Sequence, residues 1–202
     1  MRTKYYKKVD LKRFMWPQEY KKMYDVANKR QQFTMSFLLG TGARIREAQN
    51  VKVEDIDFVR KYVILRVTKV RAKLKETRPS PRPIPISTQL SRRLTSWVKE
   101  KNLSSTSILK IHTTEGVDAF LKEVAQKAGI KDYQEFSAHN LRKTTGTYLL
   151  ALGIDGFKVA QFLGHSAEML RTRYASPDIF SFKDKDEMKE ILGDLYTRMR
   201  ST

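Results

Sequence analysis

Four separated segments of the 202-residue chain hold residue types that can act together on a phosphodiester: GTGARIREAQNVKVEDID (40–57), VTKVRAK (67–73), SAHNLRKTTGTYLL (137–150) and FLGHSAEMLRTRYAS (162–176). A phosphodiester is anionic, so attack on it needs neutralisation as charge builds on the phosphorus oxygens. Two guanidinium forks, from Arg44 and Arg142, can grip both non-bridging oxygens. The same positive field favours tyrosinate, which a free tyrosine with a pKa of about 10 rarely supplies at neutral pH. A leaving 5′-oxygen needs a proton, and a lysine can deliver it as general acid. Lys69 is the candidate, with Lys73 and Lys75 as rivals in the same basic stretch. His139 and Arg142 stand three apart, on one face of a helix. His139 can then take a proton from an attacking tyrosine, while His165 hydrogen-bonds a phosphate oxygen. Tyr174 follows His165 in the fourth segment. Its nearest rival, Tyr148, sits in the apolar run TYLLAL and reads as core. Three histidines without a cysteine, with His112 far from both His139 and His165, leave no zinc spacing.

Together, the order and types of these segments resemble the tyrosine recombinases, also called phage-integrase-type site-specific recombinases. The resemblance covers most of residues 17–176. TGARIREA resembles the family's first box, which makes Arg44 the first catalytic arginine and Glu47 the acid that supports it. Thr68-Lys69 resembles the catalytic lysine position at the end of a hairpin strand. His139-Asn140-Leu141-Arg142 matches the HxLR box, and Leu163-Gly164-His165-Ser166 the LGHS box. Tyr174, nine residues after His165, falls where the family places its nucleophile.

The resemblance implies a catalytic domain that breaks one DNA strand at a time. Tyrosine becomes linked to the 3′-phosphate, and a 5′-hydroxyl from a partner duplex attacks that link, with no metal or ATP required. It implies double-stranded DNA as partner and a homotetramer on synapsed DNA formed from protomers that are monomeric when free. It also implies a cytoplasmic, prokaryotic or viral setting, on a mobile element that acts on host DNA. Family members usually carry a separate helical DNA-clamping domain upstream of the first arginine. Here 43 residues precede Arg44, so weak site specificity and poor full recombination are expected while cleavage persists. A phosphotyrosine-type topoisomerase shares the chemistry without partner exchange. A non-catalytic DNA-binding module shares only the basic surface.

The charge agrees with a polyanionic partner. Forty Lys+Arg face twenty-two Asp+Glu, a net +18, and such an excess repels itself unless a polyanion relieves it. Residues 60–82 carry nine Lys/Arg and one acid, and residues 1–30 carry ten and three. Arg71, Lys73, Lys75 and Arg78 in the first stretch are candidate DNA contacts. With 40% apolar residues and no cysteine, the chain reads as globular, without a disulfide framework. No transmembrane run is present. The composition is compatible with a thermophile and with an archaeal virus or plasmid as source.

The elements that must position these residues read as mainly helical with a small antiparallel sheet of about three strands, an α+β domain. A helix is predicted from Pro17 through Lys29, with Met23, Val26 and Ala27 as its apolar face. A buried helix is predicted over 33–42, ended by Gly40 or Gly42, and a further helical turn over 44–50. Val51, Val53 and Ile56 read as extended, 62–68 as a strand, and the proline-bearing 82–86 as an edge strand. Helices follow over 89–101, 115–128, from Ser137 to Gly153, from Asp155 to Phe162, and over 167–174. A final helix is predicted over 183–199, with Met188, Ile191, Leu192 and Leu195 as its stripe. The domain spans 1–176, with a basic segment at 1–16, and 177–202 forms a tail. In the family such a tail often packs on a neighbouring protomer; packing on its own domain is the alternative.

Overall fold

A computed structural model of the chain describes residues 13–66, 81–104, 106–111, 113–165 and 179–201. The first of these, Arg13–Trp16, form an extended strap whose Phe14, Met15 and Trp16 are buried. Pro17 then opens α1 (Pro17–Val26), where its missing N–H costs nothing. The predicted continuation through Lys29 does not occur. Asn28 accepts from Gln31 N at 3.0 Å and Gln31 Oε1 accepts from Asn28 N at 3.0 Å. This reciprocal cap starts a new helix, α2 (Lys29–Thr41), ahead of the predicted Phe33. Val26, placed on the buried face by its spacing, is 44% exposed at the helix end.

After a polar first turn, helix α2 is buried nearly all round from Phe33 to Thr41. Gly40 lies inside it, and Gly42 is the residue that caps it. Helix α3 (Ile45–Gln49) follows, with Arg44 at its N-cap. The predicted extended run from Val51 to Ile56 is interrupted. Asp55 Oδ2 accepts from Lys52 N at 3.0 Å and folds Val53–Asp55 into a 3-10 turn. Strands β1 (Ile56–Asp57), β2 (Tyr62–Leu65) and β3 (Arg82–Pro85) form an antiparallel sheet in the order β1-β2-β3. Ile56 lies opposite Val63, and Tyr62 opposite Pro85. Strand β3 is an edge of this sheet, as its two prolines lead one to expect.

The remaining elements are helical: α4 (Thr88–Glu100), α5 (Thr114–Lys127), α6 (Ala138–Ala151), α7 (Gly156–Leu163), α8 (Phe182–Leu192) and α9 (Leu195–Ser201). Ser87, Thr113 and Asp155 cap α4, α5 and α7 through their side chains. Helices α2 and α6 pack against each other at the centre, α7 lies on α6, and α5 joins α1 to α6. The fold is mainly α with a small antiparallel sheet, in agreement with the sequence reading. No helix among the described residues is long and apolar enough to cross a membrane.

The final helix predicted over 183–199 is two helices. Gly193 sits between them at φ 61°, ψ −142°, a conformation essentially reserved for glycine. The apolar stripe continues across the break, with Met188, Leu192, Leu195 and Met199 all buried. This tail packs on its own domain, α8 on α1 and α6, and α9 on β3. Phe180, just before it, contacts Phe14 and Trp16 with ring centroids 5.6 and 5.2 Å away. The predicted helix over 167–174 lies outside the described residues.

Candidate active site

Helix α6 carries two of the predicted residues on one face and is anchored by the other. Asn140, Thr144 and Tyr148 recur at every fourth position, which places them on a single stripe. Asn140 donates to Arg13 O at 2.7 Å, Thr144 Oγ1 accepts from Met15 N at 2.8 Å, and Tyr148 donates to Met15 O at 2.9 Å. The N-terminal strap therefore fixes the rotation of α6. Tyr148 is fully buried in that seam, which agrees with its reading as core.

The opposite face presents His139 and Arg142. Arg142 is 3% exposed and its guanidinium donates to two carbonyls, Gly42 O and Leu163 O. Those carbonyls come from the ends of α2 and α7, so one side chain ties three helices together. Arg44 enters from the N-cap of α3. Its Nη1 donates to Glu47 Oε1 at 2.9 Å, and its Nη2 donates to Gly164 O at 3.0 Å. Glu47 is 2% exposed and reaches back to the Arg44 backbone N at 2.9 Å. One carboxylate thus fixes both the helix start and the arginine side chain.

Arg44, His139 and Arg142 line one cavity of about 190 Å³, together with Thr114, Asp118 and Ser137. Asp118 accepts from Ala138 N at 2.7 Å and so caps α6 at the cavity wall. His165 is half-buried and follows directly on Gly164, the residue whose carbonyl holds Arg44. Its backbone N donates to Ala160 O at 2.9 Å, closing the end of α7. Gly164 makes this turn at φ +61°, in the left-handed region that costs other residues strain.

The sequence reading missed one residue here. Arg82, at the start of β3, donates to Glu47 Oε2 at 3.3 Å. Burial lowers its pKa, and the Glu47 carboxylate opposes that shift. The signal in the sequence was slight: one arginine among many, at the start of an otherwise apolar and proline-bearing strand.

Lys69, Arg71, Lys73, Lys75, Arg78 and Tyr174 lie outside the described residues, as does His112. Among the described residues no three His, Asp or Glu side chains gather as a metal site requires.

The family model described as "Phage integrase family" matches residues 13–179, a span that takes in all four segments. The chain belongs to the phage integrase family. Among its relatives, the tyrosine recombinase XerA of Pyrococcus furiosus is 29% identical over 189 residues, covering 88% of this chain and 62% of the relative. The tyrosine recombinase XerC of Oceanobacillus iheyensis is 27% identical over 193 residues, covering 88% of this chain and 59% of the relative. The family chain described here thus spans less than two thirds of either relative's length. Among solved structures, the XerA recombinase superposes with a TM-score of 0.67 at 20% identity, over 89% of this chain and 63% of that one. The Tn1549 transposon integrase in complex with circular intermediate DNA superposes with a TM-score of 0.68 at 18% identity, over 89% and 67%. At those identities the superpositions show a shared fold.

Proposed function

We propose that this family member is the catalytic part of a site-specific DNA recombinase or integrase, and that it breaks and rejoins strands through a 3′-phosphotyrosyl link. The observation that carries the reading is the convergence of Arg44, His139 and Arg142 on one cavity from segments separated by the whole sheet and three helices. Two guanidinium groups fixed by backbone carbonyls and a buried carboxylate are preorganised donors. They lose little entropy when a phosphate arrives and need no reorganisation as its charge grows.

In this reading the non-bridging oxygens of one phosphate sit between Arg44 and Arg142. Tyr174 attacks phosphorus and forms the new P–O bond. The P–O bond to the 5′-oxygen breaks, and that oxygen leaves with a proton from Lys69. His139 accepts the proton of Tyr174, and His165 donates to a phosphate oxygen. Reversal with a 5′-hydroxyl from a second duplex restores the backbone and frees Tyr174. Bond energy is retained in the phosphotyrosyl ester, so the sequence of steps calls for neither ATP nor a metal. The substrate is double-stranded DNA in a cytoplasmic setting, and exchange takes place in a tetramer of protomers that are monomeric when free.

The test uses a nicked suicide duplex, whose small downstream fragment diffuses away after cleavage. A denaturant-stable protein–DNA adduct is expected with the wild type and not with Tyr174→Phe. No wild-type adduct overturns the reading. Supercoil relaxation without joining to a second duplex would instead assign the chain to the topoisomerase class.

A further inference from the structure

Glu47 holds two arginines, not one. Its side chain is 1% exposed; Arg44 Nη1 lies 2.9 Å from Oε1, and Arg82 Nη2 lies 3.3 Å from Oε2. The Arg82 side chain is itself 16% exposed. It also lies against Gly164, where a Cβ would collide with the Arg82 guanidinium. Gly164 is the residue whose carbonyl accepts from Arg44. Arg82 therefore touches both groups that hold Arg44 in place.

The arrangement has an electrostatic consequence. A buried carboxylate paired with Arg44 alone would offset much of that arginine's charge at the cavity, because adjacent opposite charges sum to zero and the Glu47 side chain, 1% exposed, has little water of its own to screen it. A second guanidinium on the same carboxylate leaves the trio with a net charge of +1. The carboxylate is then neutralised from the side of β3, and the charge of Arg44 remains available to a phosphate.

We propose that Arg82 is a positioning residue for Arg44. Through Glu47 and Gly164 it sets the direction of the Arg44 guanidinium and keeps its charge directed at the scissile phosphate. The proposal rests on the reading of the chain as a DNA strand-breaking enzyme. Arg82 opens β3, the strand that follows the segment bearing Lys69. The first arginine of the site is thus linked to the strand that follows the candidate acid in sequence.

The experiment compares single-turnover cleavage by wild type, Arg44→Ala, Arg82→Met and Arg82→Lys on three suicide duplexes. One has an ordinary scissile phosphate, one a methylphosphonate that removes the negative charge, and one a 5′-thio leaving group that needs no acid. On the ordinary duplex Arg82→Met is expected to cleave roughly tenfold to a hundredfold more slowly, with duplex affinity unchanged. On the methylphosphonate that deficit is expected to shrink, as it shrinks for Arg44→Ala, because a neutral phosphorus centre asks little of Arg44. Arg82→Lys, which keeps the charge but not the fork, is expected to fall between wild type and Arg82→Met, and serves as the reading should Arg82→Met fail to fold. A deficit equal on ordinary and methylphosphonate duplexes overturns the proposal, as does rescue by the 5′-thio duplex alone, which would assign Arg82 to the leaving group. Cleavage at the wild-type rate by both Arg82 variants overturns it too. A wild type that forms no adduct on any duplex overturns the strand-breaking reading itself.

Discussion

Arg44 and Arg142 donate to the carbonyls of consecutive residues, Arg44 to Gly164 and Arg142 to Leu163. The two guanidinium groups are therefore held in register by two consecutive peptide units at the end of α7, which lead directly into His165. A shift of that turn would move both arginines together. Arg142 is the more deeply buried of the two, and its other nitrogen donates to Gly42 O where that of Arg44 donates to Glu47.

Arg142→Lys is expected to fail structurally as well as chemically. An ammonium cannot span the two carbonyls as a planar fork does. One buried carbonyl would lose its partner, at a cost of roughly 2–3 kcal/mol. Urea denaturation should show that loss, and suicide-duplex cleavage should fall by about two orders of magnitude or more.

Gly164→Ala tests the turn directly. The left-handed conformation disfavours alanine by about 1–2 kcal/mol, and the new methyl would meet the Arg82 guanidinium. Combining it with Arg82→Ala removes that collision. A double-mutant cycle followed by thermal melting is expected to show non-additivity, with the pair less destabilised than the sum of the singles. Strict additivity would mean that Arg82 and Gly164 do not press on each other.

Tyr148→Phe separates the two tyrosines. The change deletes a hydroxyl bonded to Met15 O and is expected to cost about 0.5–1.5 kcal/mol of stability. Adduct formation at temperatures well below the melt should continue. Loss of the adduct in a well-folded Tyr148→Phe protein would count against Tyr148 being only the anchor of α6.

Arg44, His139 and Arg142, which share one cavity of the candidate site, were readable in the sequence because such residues sit at fixed local spacings. His139 and Arg142 share a helix face, and Gly164 marks the helix end before His165. Arg82 was not readable in the same way, because its partner Glu47 lies 35 residues away and only the tertiary fold brings them together. The break at Gly193 was hidden for a different reason. Met188, Leu192 and Leu195 keep helical spacing through it, so periodicity alone reads one helix where the backbone makes two. The start of α2 was encoded locally, in Asn28 and Gln31. It was overlooked because the apolar run beginning at Phe33 dominates that stretch.

The tail offers a pH test. Asp194 accepts from Thr88 N and from Thr88 Oγ1, each at 2.6 Å. Partial burial works to raise its pKa, but the Thr88 hydrogen bonds prevail and hold it below the ordinary value of 3.8. A depressed carboxylate pKa stabilises the folded state at pH above the unfolded value, and that contribution is lost as pH falls through the folded value. The tail contact at Thr88 is thus expected to persist at neutral pH and weaken only below pH 3.8. Melting temperatures of wild type and Asp194→Asn should differ at pH 7 and converge as the pH drops below that point. A difference that grows on acidification would reverse the assigned sign.

The central claim is that Tyr174 becomes covalently joined to DNA in a cavity built by Arg44, His139 and Arg142. The most direct measurement is peptide mapping of the suicide-duplex adduct by mass spectrometry, after nuclease and protease digestion. The account predicts a 3′-phosphonucleotide on the peptide containing Tyr174, and none when Arg142 is replaced by alanine. A nucleotide found on Tyr148 or any other residue, or an adduct undiminished in Tyr174→Phe, would contradict it.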